Sequence, residues 1–303
     1  MGQRGNYVIK SNEKTTIYYT HWRANYIVND LILGPEKFIE YAEASEQRTY
    51  LTSEPWIESC AYVDIDRKEL LFWEVDDLVE TSVRQRYLEL LSKKWKGWSV
   101  SFAEREMYAI EEKMKVNYTE EHDFDFEAGK LENFINEVAD EYETTIVMFK
   151  KDGKLYTKCS YDLDTEELVF LGEQIVDILD KRTPIDITKR PEVENNVAIA
   201  IDCDEKKLIV NYIFVGLVEE LSNLWKDWTI EAGNYGYIQI LDKAGLDTME
   251  LKMKPAEVDA CMLRIFNKED NFDPNSFAKK IIELDENVEF HPSFFENNKP
   301  PEE

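Results

Sequence analysis

Short apolar runs of β type alternate with amphipathic helical stripes along this chain of 303 residues. In residues 61–74, one apolar run ends at Asp64, a charged turn follows, and a second apolar run continues through residues 70–73. Asp at the start of a turn hydrogen bonds its own backbone, so this pattern predicts a β-hairpin. Residues 82–95 place apolar side chains at helical spacing and precede Gly97. This predicts an amphipathic helix with a glycine cap.

The pattern of the hairpin returns later in the chain, which indicates an internal duplication. The same spacing of 138 residues separates three pairs: Asp64 and Asp202, Gly34 and Gly172, and Ile17 and Leu155. Farther along, Trp95 and Trp98 match Trp225 and Trp228 at a spacing of 130, which implies a deletion of eight residues in the second copy. A shared spacing at separate positions is the signature of a repeat.

The duplicated unit predicts the fold class. Each copy has the element order β-β-α-β-β-α-β-α, which favours an α+β fold of mostly antiparallel sheets with helices on one face. We expect a first unit in residues 1–143 and a second in residues 144–286, each of ordinary domain size. The remaining residues 287–303 are expected to be a tail, partly disordered because its end has prolines and no apolar residue.

The charge of the chain restricts its partners. It has 63 acidic and 36 basic residues, a formal net charge of −27. Such a balance argues against direct binding of nucleic acid or of an anionic membrane, and it favours a basic protein partner. The acidic residues concentrate in residues 120–143. The residues predicted there to bind the partner are Glu120, Glu121, Asp123, Asp125 and Glu127.

The cysteines and the N-terminus predict a cytoplasmic location. The four cysteines form no C-x-x-C pair, which is typical of free thiols in a reducing compartment. The first ten residues lack the apolar core of a signal peptide, and no apolar run approaches the roughly 20 residues of a membrane span.

The segment His21-Trp22-Arg23 differs between the copies, because the aligned second copy has Cys159, Ser160 and Tyr161. His21 can act as an acid or base, and Arg23 and Arg4 can hold an anion. Together with neighbouring polar residues they are a candidate anion-binding or catalytic pocket; these neighbours are Asn6, Asn25 and Asp30. The alternative is a surface His and Arg with Trp22 turned inward.

Two further patterns have a functional and a structural interpretation. The pairs Asp64-x-Asp66 and Asp202-x-Asp204 can hold a divalent metal, but hairpin turns favour Asp for local reasons and we prefer that interpretation. The tryptophan pairs can form an aromatic platform for a ligand. Their presence in both copies favours core packing instead.

The chain lacks the motifs of phosphate-binding loops, dinucleotide folds, serine hydrolases and zinc proteases. No cofactor is therefore predicted, and an enzymatic activity is not favoured. Our hypothesis is an acidic, non-catalytic protein that masks a basic partner, such as a nucleic-acid-acting toxin, in the manner of an immunity protein or antitoxin. The alternative is an enzyme or small-anion-binding protein with its site around His21 and Arg23. A third hypothesis is a scaffold with two similar docking faces.

Overall fold

A computed structural model describes residues 3–52, 56–115, 130–136, 145–161, 163–186, 197–211, 215–249 and 251–268. The first half of the molecule contains a six-stranded sheet with the order β3-β2-β1-β4-β5-β6. Its strands are β1 (Gly5–Ser11), β2 (Lys14–Thr20), β3 (Glu46–Arg48), β4 (Ser59–Asp64), β5 (Glu69–Glu74) and β6 (Ser99–Phe102).

The second half contains a five-stranded sheet with the order β11-β10-β9-β7-β8. Its strands are β7 (Thr145–Lys151), β8 (Lys154–Ser160), β9 (Val197–Asp202), β10 (Lys207–Asn211) and β11 (Thr229–Gly233). Where the first half has β3, the described residues of the second half make one backbone hydrogen bond to β8, from the N–H of Ile185 to the carbonyl of Thr157, 2.8 Å long. Pro184 precedes Ile185 and has no N–H to extend the pairing.

The helices cover both sheets. In the first half they are α1 (Ile27–Leu31), α2 (Pro35–Ala44), α3 (Thr81–Lys94) and α4 (Glu106–Met114). They are followed by α5 (Leu131–Asn136), α6 (Thr165–Phe170), α7 (Ile175–Lys181), α8 (Val215–Leu224), α9 (Tyr237–Lys243) and α10 (Pro255–Phe266).

The two halves repeat one topology, which confirms the α+β class and the two similar halves. In the first half β1 pairs antiparallel with β2 and parallel with β4, and β5 pairs parallel with β6. In the second half β7 pairs in the same two ways with β8 and β9, and β10 pairs parallel with β11. Positive-φ positions also match between the halves, among them Gly34 and Gly172, Lys68 and Lys206, and residues in the first turn of each half.

The sheets are mixed: five of the nine strand pairs are antiparallel, and parallel pairs form where helical crossovers such as α3 bring the chain back in the same direction. One detail differs from the expected architecture, because helices cover both faces of the sheets rather than one. All six residues of β4 are buried, so the strand presents apolar side chains to α2 and α3 on one face and to α4 on the other.

The first hairpin corrects the alignment of the repeat. The positive-φ residues of its turn are Asn12 and Glu13 in the first half and Asp152 and Gly153 in the second, a spacing of 140. The predicted match of Ile17 with Leu155, at 138, was therefore wrong by two residues. A shift of two keeps every side chain on the same face of a strand, so hydrophobic alternation does not reveal it.

The same correction changes the comparison at His21. With the spacing of 140, Ile17 is equivalent to Thr157, and His21 is equivalent to Tyr161 rather than to Cys159. The two copies still differ at this position, because the residue equivalent to His21 is a tyrosine.

The halves are joined by buried contacts. Arg84 of α3 donates to the backbone and side-chain oxygens of Asn234, at 2.9 and 3.2 Å. The apolar side of α10, through Val258, Met262 and Ile265, packs on the core of the first sheet. The predicted boundary at residues 143 and 144 and the predicted tail at 287–303 both lie outside the described residues, so the division into units stays a prediction.

Candidate functional site

His21 lies just beyond the end of β2. Its side chain contacts that of Tyr19, which lies two residues earlier on the same side of the strand. The hydroxyl of Tyr19 is 2.8 Å from Nδ1 of His21, and the ring of Trp22 lies 4.4 Å from the imidazole, centroid to centroid. Burial lowers the pKa of His21, and the positive charges of Arg4 and Arg48 lower it further. His21 is therefore held toward its neutral form.

Arginines stack on aromatic rings around His21, of which Tyr50 and Trp56 are exposed and Tyr19 is buried. The guanidinium of Arg48 is 3.3 Å from the ring centroid of Tyr19 and 5.8 Å from that of Tyr50. Arg4 lies 5.3 Å from the ring of Trp56, whose surface is 60% exposed. Arg48 also donates from Nε and Nη2 to the carboxylate of Glu46 at 3.0 and 3.1 Å, so the exposed surface of this group is mainly that of Tyr50 and Trp56. We call this group the arginine–aromatic patch; its members are Arg4, Tyr19, His21, Arg48, Tyr50 and Trp56.

Arg23 has a structural partner away from this patch. Its Nε and Nη2 donate to the two carboxylate oxygens of Asp30, at 3.2 and 2.9 Å. Asp30 is buried, and Arg23 also lies over the rings of Tyr26 and Tyr41. The buried carboxylate needs this guanidinium, because an unpaired buried charge is strongly destabilising.

The predicted pocket is therefore divided between two places. Tyr41 packs on Tyr7, in the core that α2 covers, whereas Tyr19 points to the other face of β2 because Tyr18 faces that core. The structure places His21 and Arg4 together in the patch and pairs Arg23 with Asp30.

Of the two predicted asparagines, Asn6 bonds neighbouring backbone through its side chain, and Asn25 takes part through its own backbone carbonyl. Nδ2 of the buried Asn6 donates to the carbonyl of Thr52 at 2.9 Å, and the N–H of Thr52 donates back to Oδ1 at 3.1 Å. The carbonyl of Asn25 accepts from Nζ of Lys268 at 3.3 Å. Asn6 thus holds the segment after β3 against β1.

Asp64 and Asp66 organise the turns of the first half. Asp64 accepts from the N–H of Arg67 at 2.9 Å and pairs with Lys10 at 3.2 Å. Burial opposes its ionisation, but these donors hold the pKa of Asp64 below its usual value. Asp66 accepts from the N–H of Glu13 at 3.5 Å, which links the two hairpin turns.

The equivalent aspartates act in the same way in the second half. Asp202 accepts from the N–H groups of Asp204 and Glu205 at 3.0 Å each, and it pairs with Lys150 at 2.7 Å. Asp204 accepts from the turn N–H groups of Asp152 and Gly153 at 2.8 and 2.9 Å. Among the described residues, no group of three or more His, Cys, Asp and Glu side chains is arranged to hold a metal ion. These contacts favour turn formation as the function of the four aspartates.

Trp95 and Trp225 are core residues, as the preferred interpretation predicted, and Trp98 and Trp228 are partly buried against the same cores. Nε1 of the fully buried Trp95 donates to the carbonyl of Leu31 at 2.8 Å. Nε1 of the fully buried Trp225 donates to the carbonyl of Val169 at 2.7 Å, and Val169 follows Leu31 by the same 138 residues. Neither ring can therefore serve as an accessible platform for a ligand.

The predicted partner-binding residues Glu120, Glu121, Asp123, Asp125 and Glu127 lie outside the described residues. The four cysteines are free thiols, as predicted, and burial raises the pKa of Cys60 well above its usual range. In the part of the chain that the structure describes, no helix has both the length and the apolar character needed to cross a membrane.

Sequence reasoning missed a pocket in the second half. It has a volume of about 270 Å³ and lies between the sheet and the C-terminal end of α9. The side chains that line it combine apolar groups with ammonium and carboxylate groups; among them are Met148, Leu155, Ala200, Asp202, Lys207 and Lys243. One signal was present in the sequence, because Ala200 stands in the repeated hairpin where the first half has Tyr62.

Comparisons with models of protein families, with curated proteins and with solved structures find no match for this chain.

Proposed function

We propose that this chain is a non-catalytic, cytoplasmic binding protein that masks a basic protein partner, as an immunity protein or antitoxin masks a toxin. The observation that supports it is the uneven distribution of charge along the chain. Residues 120–143 contain ten of the 63 acidic residues and only one of the 36 basic residues, Lys130.

A concentrated negative charge acts on a basic partner in two ways. It raises the rate of encounter by long-range attraction, and it discriminates against acidic proteins. Affinity then requires aromatic side chains that become buried in the contact, since tryptophan, tyrosine and arginine dominate binding energies. Trp56 and Tyr50 are exposed aromatic residues of this kind.

The first test is capture of a partner by the full chain from its host at low salt. We expect a basic protein that salt releases, because screening weakens exposed charge pairs. Recovery of small molecules alone, or of nothing, would contradict the proposal.

A charge-matched pair of variants then locates the contact. One variant neutralises the five predicted residues: Glu120→Gln, Glu121→Gln, Asp123→Asn, Asp125→Asn and Glu127→Gln. The control removes the same charge from exposed helix positions: Glu36→Gln, Glu40→Gln, Glu43→Gln, Glu219→Gln and Glu220→Gln. We expect the first variant to slow association with the captured partner about tenfold or more at low salt, and the control to change it much less. Equal effects would show that net charge alone matters.

A second candidate function is the binding of a small anion at the arginine–aromatic patch. The observation in its favour is that Arg4 and Arg48 lie close to His21, and their positive charges lower the pKa of its imidazole. His21→Ala combined with Arg4→Ala tests it, because neither side chain is fully buried. If the double variant loses the effect that the native chain has in its host, while its melting temperature is unchanged, this candidate is favoured. If the variant keeps that effect, the candidate is excluded. Arg23→Ala is unsuitable, because it would leave Asp30 buried without its partner.

A further inference from the structure

We propose that the second half carries a binding pocket for a small hydroxyaromatic molecule, whose ring lies over Ala200 and whose hydroxyl donates to Asp202. The pocket is distinct from the arginine–aromatic patch, which belongs to the first half. The proposal does not depend on the basic partner described above.

The pocket exists because one side chain of the repeat is shortened. In the first half, Tyr62 is buried between the sheet and the core residues of α4. Ala200 is its equivalent, since Asp64 and Asp202 follow two positions later in the matching strands and the turn residues Lys68 and Lys206 share a positive φ. The pocket lies beside Ala200 and Asp202, on the side of the sheet where Tyr62 packs in the first half.

The hydrogen-bonding group for a phenol is also repeated. In the first half, Oδ2 of Asp64 accepts from the hydroxyl of Tyr62 at 3.2 Å and pairs with Nζ of Lys10 at 3.2 Å. In the second half, Oδ2 of Asp202 accepts from Nζ of Lys150 at 2.7 Å. The second half thus keeps the carboxylate and the lysine and lacks the phenol that completes the set.

The lining of the pocket suits an aromatic ring with a polar end. Met148, Leu155 and Ile209 supply apolar surface, and Lys150, Lys207 and Lys243 supply ammonium groups. An apolar cavity of about 150 Å³ is large enough for benzene, so about 270 Å³ accommodates one ring with a short substituent. The lysines pair with Asp202 and Glu231, so their positive charges are already compensated. A neutral phenol therefore fits the pocket better than a strongly charged ligand.

The first experiment titrates the full chain with p-cresol, which is the side chain of tyrosine as a free molecule, and with toluene, which lacks the hydroxyl. Ligand-observed NMR measures both. We expect saturable binding of p-cresol with a dissociation constant on the order of 1 mM or tighter, and binding of toluene about tenfold weaker. The absence of saturable p-cresol binding would overturn the proposal, and so would equal binding of the two probes.

The second experiment restores the missing side chain with Ala200→Tyr. We expect this variant to lose p-cresol binding and to melt roughly 2–4 °C higher, because its own ring fills the pocket. Tyr62→Phe is the control, since it alters the equivalent place in the first half and should leave p-cresol binding unchanged. If Ala200→Tyr retains the binding or fails to fold, the two positions are not equivalent and the inference is refuted.

Discussion

Tyr62 and Ala200 occupy equivalent places in the two halves, and the difference between them explains why the second half carries a cavity. The surrounding framework is the same, since each half has an aspartate two positions later, a lysine on the neighbouring strand that pairs with it, and the same positive-φ turn. A side chain that both halves share contributes to the packing of the fold. Where one half has a small residue in place of a bulky one and the framework is unchanged, the space becomes available for a ligand.

Helices α4 and α9 extend this comparison. A residue with positive φ follows each helix: Lys115 comes directly after α4 and Gly245 comes two residues after the last residue of α9, at the spacing of 130. The same spacing places Glu111 opposite Leu241, and both are buried. The first half therefore tolerates a buried carboxyl and a strained cap that the second half avoids.

The tryptophans test whether the shared positions are energetically equivalent. Trp95→Ala and Trp225→Ala should each lower the free energy of unfolding by about 3–5 kcal/mol, because each leaves a cavity and an unpaired carbonyl. Urea denaturation of the full chain measures this. Trp56→Ala is the control and should cost little, since Trp56 is exposed. A large difference between the first two variants would show that the halves do not share one core design.

The aspartates at the turns should differ in a predictable direction. The side chain of Asp64 is 1% exposed and accepts from Tyr62, whereas that of Asp202 is 20% exposed and faces the pocket. Asp64→Ala should therefore cost about 2–3 kcal/mol and Asp202→Ala about 1 kcal/mol, measured by urea denaturation at neutral pH. Equal costs would argue that the bond from Tyr62 contributes nothing.

Glu111 should make the first half sensitive to pH. Burial raises the pKa of Glu111 to about 7, so the folded protein holds a proton there that the unfolded chain releases near pH 4.5. Stability is therefore lost as the pH rises from about 4.5 to 7. Glu111→Leu, which copies Leu241, should stabilise the protein by on the order of 2 kcal/mol at pH 8 and much less at pH 5.

The control for this prediction is Glu112→Leu, an exposed neighbour on the same helix. Chemical denaturation at the two pH values should show no comparable change for it. A stabilisation by Glu111→Leu that is the same at pH 5 and pH 8 would mean that packing, and not ionisation, is responsible.

The smallest expected effect concerns the helix caps. Lys115 adopts φ of 56°, a left-handed conformation that glycine accepts without steric cost. Lys115→Gly should stabilise the protein by about 0.5 kcal/mol, and Gly245→Ala should destabilise it by about 1 kcal/mol. Thermal unfolding followed by circular dichroism resolves both shifts. The same sign for both variants would contradict the equivalence of the two caps.

Much of the fold was predictable because its signals are local. The turn at Asp64, the buried stripe that ends at Trp95 and the positive-φ glycine at Gly34 depend on residues close together in the chain. Their recurrence at constant spacing revealed the duplication, and with it the α+β class. The predicted functional pocket was harder to predict from the sequence, since His21 and Arg23 are neighbours in the chain but contact different sides of the sheet.

The remaining features depend on groups that are distant in the chain. The register of the first hairpin shifts by two residues without moving any side chain to the other face, so only strand pairing reveals it. The partner of Arg23, the helices on the second face of each sheet and the contact of Arg84 with Asn234 arise when distant segments meet. The pocket has the same origin: Ala200 in the place of Tyr62 leaves volume, but only the C-terminal end of α9 beside the sheet makes that volume a pocket.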